Sequence, residues 1–231
     1  APAVVGFLTR ELDLRPASIL VDLGAGTGKL TRLFEPTGAK LIAVEPVASM
    51  RQVARANLTA GASVLEGTAE RMPLHTASAD ALVVAQAFHW FDPLAAAKEC
   101  ARVLRPGGKL ALVWNRRDER SPLQRYVSSL VEPFEAGTPR YKDQRWQRAF
   151  AFADPASAFG ARTATHSESR AMGLSALAYL SFPHAQRGAA SMVVDRVMSV
   201  SFMAALPETK KRELTDSMLA FLRGPQGRAM A

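Results

Sequence analysis

Apolar runs and stretches of helical periodicity alternate along the first half of the chain. Helical spacing predicts an entry helix that starts near Val4 and ends before Pro16, then helices at Lys29–Phe34, Ala48–Ala60 and Pro93–Leu104. Shorter apolar runs predict strands at Ser18–Leu23, Lys40–Glu45, Ala62–Glu66, Ala79–Ala85 and Lys109–Asn115, the last after a turn at residues 106–108. This alternation predicts an α/β fold with a doubly wound, mostly parallel sheet, whose ligands gather where the strands end.

The second half of the chain loses this alternation. Helical patterns predict helices at Pro122–Glu135, Tyr141–Phe152, Ala189–Ala204 and Glu208–Leu222. The stretch Ser175–Phe182 suits either a sixth strand or another helix. We therefore expect residues 1–116 to form a cofactor-binding core. Residues 117–231 are expected to form a helical, substrate-binding cap with the remaining sheet elements, within the same compact domain.

Composition is that of a globular protein. The chain has 231 residues, of which 48% are hydrophobic, which is enough for one sizeable core. Its one cysteine, Cys100, excludes an internal disulfide and a thiolate zinc cluster. We found neither a signal peptide nor an uninterrupted apolar span, so we expect a soluble, cytoplasmic protein without a membrane partner.

The net charge of +8 and the pI near 10.1 raise the possibility of an anionic partner. The basic residues form three separated groups, at residues 116–120, 140–148 and 210–212. This spacing favours solvated helix surfaces over one continuous nucleic-acid footprint. Nucleic acid is therefore the less favoured partner, and a small molecule the favoured one.

Three glycines at alternate positions follow the first predicted strand. Gly24, Gly26 and Gly28 permit a tight turn and allow a ligand to lie against the backbone, near amide donors and the start of a predicted helix. Such a loop suits a cofactor with a carboxylate tail. The dinucleotide fingerprint requires its third glycine one position later, where this chain has Lys29, so NAD is disfavoured.

Five segments that follow one another along the chain carry a family resemblance. They are Val21–Thr31, Ala43–Pro46, Gly67–Leu74, Ala79–Asp92 and Ala101–Trp114. Together they resemble class I S-adenosylmethionine-dependent methyltransferases, in particular the small-molecule, type 11-like group with a QAFHWFD segment such as that at residues 86–92. The resemblance covers about the first half of the chain. It implies a Rossmann-like methyltransferase fold, S-adenosylmethionine as cofactor and S-adenosylhomocysteine as product.

The resemblance implies a role for each matched residue of the cofactor site. Asp22 holds the glycine loop and accepts a hydrogen bond from the cofactor's amino group, whereas Glu45, roughly 20 residues further on, binds the ribose hydroxyls. Relatives usually have an aspartate for the adenine amino group where this chain has Thr68. The other cofactor-binding residues implied are Gly24, Ala25, Gly26, Gly28, Pro46, Met50, Ala69, Glu70 and Gln86.

Methyl transfer from a sulfonium is an in-line displacement that needs no metal, so the protein has mainly to align and dehydrate the reactants. Trp90, within the aromatic stretch 88–91, is expected to line the acceptor site and to stabilise the sulfonium by cation-π attraction. His89 is the candidate general base, with binding to backbone or to the cofactor carboxylate as the alternative. Arg117 is a candidate clamp for a carboxylate acceptor, and Arg187 a second; His184 is a further substrate-binding candidate.

Two other functions remain open at this stage. One is RNA or nucleic-acid methylation, which the basic pI favours. Against it, residues 86–90 replace the Asn/Asp-Pro-Pro-aromatic motif of many base N-methyltransferases, and Cys100 lies in a predicted helix without a preceding proline. The other is a non-catalytic S-adenosylmethionine-binding protein. The sequence predicts transfer to a small-molecule acceptor, with a carboxylate and a hydroxyl as candidates. It leaves open whether oxygen, nitrogen or carbon is methylated, and also the oligomeric state.

Overall fold

A five-stranded, fully parallel sheet forms the centre of the fold, in the order β3-β2-β1-β4-β5. The computed structural model describes residues 2–135, 144–152, 166–185, 188–225 and 227. The strands are β1 (Ile19–Leu23), β2 (Lys40–Val44), β3 (Ser63–Leu65), β4 (Ala79–Ala85) and β5 (Leu104–Val113). The predicted doubly wound sheet is confirmed, and the first four strands lie within one residue of their predicted ends.

The strand order changes direction between β1 and β4, which are hydrogen-bonded neighbours in the sheet. Leu23 at the end of β1 pairs with Val44 at the end of β2, so the residues that follow both strands leave the sheet side by side. In open α/β sheets the ligand crevice lies outside the carboxyl ends of the strands at such a switch point. The topology therefore places the glycine loop and Glu45 at the expected edge.

Helices flank the sheet and make up most of the described second half. They are α1 (Pro2–Glu11), α2 (Ala48–Asn57), α3 (Pro93–Val103), α4 (Pro122–Val131), α5 (His166–Ala171), α6 (Ala190–Met198), α7 (Ser201–Ala204) and α8 (Glu208–Arg223). Shorter 3-10 helices cover Thr31–Thr37, Phe88–Trp90, Glu132–Phe134 and Arg145–Ala149. The predictions for α1, α3 and α8 are confirmed, α2 ends three residues before its predicted end at Ala60, and α5 was not predicted.

The helix predicted at Lys29–Phe34 is wrong in type. Residues Thr31–Thr37 form a 3-10 helix that contains Pro36 and ends at Gly38, whose φ is 71°. Proline has no N–H for a continuing helical ladder, and a glycine in the left-handed region ends the turn at low cost. The stretch therefore closes into a short 3-10 helix before a regular α-helix can form.

The turn predicted at residues 106–108 lies inside β5. Ala79 pairs with Leu104 and Ala81 with Lys109, so Arg105–Gly108 bulge out opposite the single residue Asp80. The proline is tolerated because β5 is an edge strand, where an absent N–H costs no internal ladder bond. The strand thus begins at Leu104, five residues before its predicted start, and ends two residues before Asn115.

Three predictions for the second half are also corrected. The helix predicted at Pro122–Glu135 is α-helical only to Val131, because Pro133 lacks an N–H and a 3-10 turn follows. The predicted helix Ala189–Ala204 is split into α6 and α7. The described part of Tyr141–Phe152 forms the 3-10 helix Arg145–Ala149 and then extended chain, and its residues 141–143 lie outside the described ones.

Ser175–Phe182 is neither a strand nor a helix. It makes one parallel bridge, between Leu177 and Phe152. Trp146, Phe150 and Phe152 are all buried against the core beside α3, and this aromatic packing, rather than helical periodicity, dictates the local conformation. Within Ser175–Phe182 itself only Ala176 and Leu177 are partly buried, so the apolar pattern of this stretch indicated neither regular secondary structure nor burial.

Two apolar layers cover the two faces of the sheet. Along β1, Leu20 points into one layer and Val21 into the other, as the alternation of strand side chains requires. One layer packs the sheet against α1 and Phe34, and the other packs it against α3 and the aromatic side chains of residues 88 and 146–152. This packing fixes the carboxyl ends of β1, β2 and β4 and the short helix Phe88–Trp90, which follows β4.

The chain divides into two compact units. One comprises Ala1–Asn115 and Pro139–Pro183, and the other comprises Arg116–Thr138 and His184–Ala231. The first holds the sheet, and the second has its own apolar cluster of α4, α6, α7 and α8 side chains. Among the described helices, we found none with the length and apolar character needed to cross a bilayer.

Gln147 provides a test of core packing. Its side chain is fully buried, and neither amide atom has a hydrogen-bond partner within the described structure. An unpaired buried amide costs about 1–3 kcal/mol, so Gln147→Met, which keeps length and removes polarity, should raise the free energy of unfolding by about that amount. Urea denaturation measures the change. The exposed Gln52→Met is the control, expected within about 0.5 kcal/mol of wild type, and a less stable Gln147→Met would contradict the assignment.

Candidate functional site

The glycine loop turns tightly between β1 and the rest of the site. Gly24 has φ +69° and Gly26 φ +57°, a region that side-chain-bearing residues rarely occupy. A Cβ on Gly24 would come within 2.8 Å of the Cβ of Ala87 and 3.2 Å of Cζ of Phe91. The loop is therefore pressed against the residues that follow β4, and only glycine fits at its first position.

Glu45 joins the glycine loop to the start of α2. Its carboxylate is only 5% exposed, and it accepts hydrogen bonds from the backbone N–H of Gly26 to Oε2 and of Val47 to Oε1, both at 2.9 Å. An ionised carboxylate has about four acceptor positions. These two amides orient Glu45 and leave acceptor capacity on each oxygen for the two hydroxyls of a ribose.

The helix that begins after the glycine loop is of the 3-10 type and not an α-helix, and it has seven residues. The amides of Gly24 and Ala25 both donate to the carbonyl of Val44, at 2.8 and 3.2 Å, and that of Gly28 donates to Ala25 at 3.0 Å. These amides serve to shape the loop, so carboxylate side chains rather than a helix dipole define its electrostatics.

Asp22 lies beneath the loop, almost completely buried at the end of β1. It accepts the hydroxyl of Thr31 at 2.6 Å and also a hydrogen bond from the Thr31 backbone. Burial raises the pKa of Asp22 from 3.8 to about 6, and the nearby Glu45 carboxylate adds to the rise while the Thr31 hydrogen bonds oppose it. Asp22 thus holds the segment after the loop through Thr31, and its role toward the cofactor's amino group stays a prediction.

The loop after β3, residues 67–70, forms another part of the site. Thr68 and Arg71 exchange backbone hydrogen bonds at 3.3 Å in each direction, which closes a tight turn around the buried Ala69. Glu70 Oε1 accepts the backbone N–H of Asp92 at 3.0 Å. This contact ties the loop to the N-terminal cap of α3, so Glu70 has a structural partner.

A pocket of about 210 Å³ opens at the carboxyl edge of the sheet. It is lined by residues that follow four strands: Gly24, Pro46, the loop 67–70, Trp90 and Phe91. Five of the twelve residues predicted to bind the cofactor line this pocket: Gly24, Pro46, Thr68, Ala69 and Glu70. Met50 lies close by, 43% exposed, with its Sδ 3.9 Å from where a Cβ on Gly26 would be.

Gln86 turns the chain out of β4. It is exposed, its φ is +58°, and its backbone N–H donates to the carbonyl of Val113 at 2.8 Å. A non-glycine residue in this region costs free energy and is concentrated at functional sites. The turn aims the chain into the 3-10 helix Phe88–Trp90, which carries His89.

His89 has a partner that the sequence did not reveal. Its Nδ1 accepts the indole N–H of Trp114 at 3.2 Å, from the residue directly after β5. Trp114 belongs to the last of the five segments that carry the family resemblance. Its position after the last predicted strand, at the same edge of the sheet as His89, is the feature from which this contact could have been predicted. Trp90, half exposed, has its ring centre 5.5 Å from that of His89.

Arg51 is a second residue that sequence reasoning missed. It is buried in α2 and donates through Nη1 to the carbonyls of Glu45 and Pro46, at 3.0 and 2.6 Å, and through Nη2 to Glu66 at 2.6 Å. Its helical spacing from Val47 and Ala54 was a usable signal, because that face carries apolar residues. Arg51 holds the chain where β2 ends and so supports Glu45.

The predicted substrate residues divide between the two units. Trp90 lines the pocket of the first unit. Arg117 and His184 belong to the second unit, and Arg187 lies outside the described residues. Their assignment to the acceptor remains a prediction.

Comparison with known proteins identifies the family of the chain. A family model described as a methyltransferase domain matches residues 21–112. An uncharacterized methyltransferase-like protein of Schizosaccharomyces pombe is 32% identical over 212 residues, which is 91% of this chain and 75% of that protein. An uncharacterized methyltransferase of Mycobacterium tuberculosis is 51% identical over 112 residues, or 48% of this chain and 46% of that protein, so the match spans about half the length of this relative.

The fold has a counterpart among solved structures. A putative methyltransferase from an antibiotic biosynthesis pathway of Anabaena variabilis superposes with a TM-score of 0.62 at 19% identity, over 97% of this chain and 87% of that one. This likeness concerns the fold alone. Together with the relatives it shows that the chain belongs to the class I S-adenosylmethionine-dependent methyltransferases.

Asp22 makes stability depend on pH. Because its folded pKa of about 6 lies above the ordinary value, ionisation penalises the folded state. The penalty is absent below about pH 4, grows as the pH rises through 4 to 6, and reaches roughly 3 kcal/mol above that window. Asp22→Asn, which cannot ionise, should match wild type at pH 4 and be more stable at pH 7. Denaturant titrations at both pH values test this, and an equal stability difference at both would refute it.

Proposed function

We propose that the protein transfers a methyl group from S-adenosylmethionine to an oxygen of a small-molecule acceptor. The observation that carries the proposal is the buried Glu45 carboxylate, which is oriented by two backbone amides beside a glycine loop and a pocket. A carboxylate so oriented suits a vicinal diol. The alternate glycines leave space for a nucleoside at the end of β1.

The residues present fit this cofactor. Gly24 lies in a cradle that a Cβ would fill, and the carboxylates of Asp22 and Glu45 give the site a negative character suited to a cationic ligand. Met50 and Pro46 offer apolar surface for a purine face, and Thr68, Ala69 and Glu70 offer polar groups for its edge. Gln86 would contact the methionine part.

The bound sulfonium would supply an activated methyl group, and the protein would supply alignment and exclusion of water. Trp90 and Phe91 line the pocket, and their ring faces attract a cation at about 6 Å or less. Alignment of the acceptor with the carbon–sulfur bond can account for about 7–11 kcal/mol of the barrier. No metal and no covalent enzyme intermediate are needed.

The names of two further relatives support oxygen as the acceptor atom. One is named malonyl-[acyl-carrier protein] O-methyltransferase, from Methylococcus capsulatus, 40% identical over 108 residues. The other is named ubiquinone biosynthesis O-methyltransferase, from Xanthomonas oryzae, 31% identical over 152 residues. The first name specifies a carboxylic acid derivative, and both specify transfer to oxygen.

Transfer of labelled methyl groups tests the proposal. The protein is incubated with methyl-labelled S-adenosylmethionine and either a small-molecule extract or purified RNA, and products are separated by mass. We expect label in compounds of low mass. Label in RNA alone would establish the nucleic-acid alternative instead. Binding without transfer to any small molecule or RNA would favour a non-catalytic binding protein. A nucleic-acid methyltransferase that attacks cytosine with a cysteine thiolate is also disfavoured, because burial raises the pKa of the Cys100 thiol to about 12.

Glu45 should bind the ribose hydroxyls. In calorimetry, Glu45→Gln should weaken S-adenosylhomocysteine binding about 10- to 150-fold, because charge-assisted hydrogen bonds contribute about 1.5–3 kcal/mol. The 2′-deoxy analogue should bind wild type more weakly than S-adenosylhomocysteine does. Glu45→Gln should weaken binding of the 2′-deoxy analogue much less than it weakens binding of S-adenosylhomocysteine, because the analogue already lacks the hydroxyl that Glu45 contacts. The four affinities form a double-mutant cycle for this contact.

The control for this cycle is Glu35→Gln. Glu35 also accepts a backbone amide at 2.8 Å, but that amide belongs to Thr59, which follows α2, and not to the glycine loop. Its replacement should leave both affinities unchanged. Additive effects of the 2′-deoxy substitution and Glu45→Gln would show that the carboxylate and the hydroxyl do not meet.

A further inference from the structure

We propose that Glu99 and Arg102 of α3 position the loop 67–70, and that this anchoring makes the site select an adenine base. The proposal rests on the proposed function and deepens it. The loop belongs to the fully described segment 66–78 between β3 and β4, which contains neither a helix nor a strand. The backbone N–H and C=O groups of such a segment need partners outside regular structure. Several of these partners come from α3.

Glu99 and Arg102 bind the backbone of this segment as well as each other. Oε1 of Glu99 accepts the backbone N–H of Met72 at 2.7 Å, and Nη1 of Arg102 donates to the carbonyl of Leu74 at 2.9 Å. Nη2 of Arg102 lies 3.4 Å from the carbonyl oxygen of Met72. The guanidinium also donates from Nε and Nη2 to the two carboxylate oxygens of Glu99, both at 2.7 Å. One ion pair therefore holds both backbone polar groups of Met72 and the carbonyl of Leu74.

The anchored residues contact the loop that lines the pocket. Pro73 lies between them in sequence and packs on Gly67, where a Cβ would come within 2.5 Å of Cδ of Pro73. Arg71, directly before the buried Met72, closes the backbone turn with Thr68. Gly67 and Thr68 both line the pocket. A shift of the anchored residues would therefore move these lining residues with them.

The start of α3 holds the same loop at a second point. Oε1 of Glu70 accepts the backbone N–H of Asp92 at 3.0 Å, and Asp92 is the capping residue of α3. Trp90 and Phe91, which directly precede this cap, line the pocket. One helix thus connects two groups of lining residues, the aromatic pair before it and the loop that is anchored along it.

The Glu99–Arg102 pair differs from an ordinary ion pair on a helix surface. Exposed pairs contribute little to stability, but the Glu99 side chain is only 12% exposed. The hydrogen bonds from Arg102 hold the pKa of Glu99 below its ordinary value, so an ionised carboxylate accepts the Met72 amide. Loss of a hydrogen bond to an ionised group changes an equilibrium constant by about 10-fold or more. Here the equilibrium affected is that of loop position, because the pair binds the loop backbone.

The position of the loop matters most for recognition of the edge of a base. Adenine presents an amino group, which donates, where hypoxanthine presents a carbonyl, which accepts. Thr68, Ala69 and Glu70 are the residues proposed to meet this edge, and a hydrogen-bonding site discriminates only while its groups are held in place. A displaced loop would leave the glycine loop and Glu45 to hold the sugar. We therefore expect loss of the anchor to weaken adenine recognition and to spare the remaining contacts.

Calorimetry with two ligands tests the selectivity. S-adenosylhomocysteine and its hypoxanthine analogue, S-inosylhomocysteine, differ only at this edge of the base. Wild type should bind the adenine ligand at least about 10-fold more tightly than the analogue. Glu99→Ala should bind S-adenosylhomocysteine about 10-fold more weakly and the analogue almost as well as wild type does. The absence of a preference in wild type, or an unchanged preference in the variant, would overturn the proposal.

Glu213→Ala is the matched control for this experiment. Glu213 pairs with Lys210 on α8 at the same three-residue spacing, with 2.8 Å between Nζ and Oε1. Its replacement should leave both affinities within about twofold of wild type. Arg102→Lys is the second variant if Glu99→Ala does not fold, because lysine keeps the charge but lacks the planar fork that binds Glu99 and the carbonyls together. It should also lower the preference for adenine, and an undiminished preference would contradict the role of Arg102.

Amide hydrogen exchange tests the anchor without any ligand. The Met72 amide should exchange slowly in wild type and at least about 10-fold faster in Glu99→Ala, while the amide of Leu82 in β4 keeps its rate. Rapid exchange at Met72 in wild type would overturn the anchor, and an equal acceleration at Leu82 would show global opening instead. Failure of the proposed function would be distinct, as calorimetry of wild type without heat for S-adenosylhomocysteine while the Met72 amide stays protected.

Discussion

The shape of the site depends on the hydrogen bonds that the Glu45 carboxylate accepts. This residue accepts amides from the glycine loop after β1 and from the turn into α2, while its own backbone carbonyl is held by Arg51. Removing any one of these contacts would free a loop that lines the pocket. A buried charge is costly unless it is paired or hydrogen-bonded, and here both oxygens are satisfied by backbone. The same group that organises the site is the one proposed to bind the ribose.

The first half of the fold was predictable because its signals are local. β1 to β4 are short apolar runs, and α3 begins with Asp92 as a capping residue and a proline after it, a pattern that sequence alone carries. Likewise, spacing was enough to make Gly24 and Glu45 candidate site residues, and their roles toward a cofactor stay predictions. The conformation of Thr31–Thr37 could not, because Pro36 and the left-handed Gly38 override a helical apolar pattern.

Residues that act through tertiary contacts escaped prediction. Trp114 reaches His89 from 25 positions away, and Arg51 holds carbonyls of the preceding turn from within a helix. Helical spacing could indicate that Arg51 is buried, but the partner of neither residue can be predicted from a local pattern. The stretch 144–152 shows the same effect in secondary structure, since Trp146 and Phe150 satisfy the core from a 3-10 turn and extended chain. Apolar spacing in this stretch records which side chains are buried, while the neighbouring elements decide how the backbone brings them there.

The bulge in β5 lies at the opposite edge of the sheet from the pocket. Asp80, the single residue facing it, accepts the backbone N–H of Ile19 at 2.6 Å and forms an ion pair with Arg105 from within the bulge. One carboxylate thus clamps the beginnings of three adjacent strands. These contacts hold the amino ends of the strands in alignment and involve no residue that lines the pocket. The loops at the carboxyl ends can therefore change in sequence while the strands stay aligned.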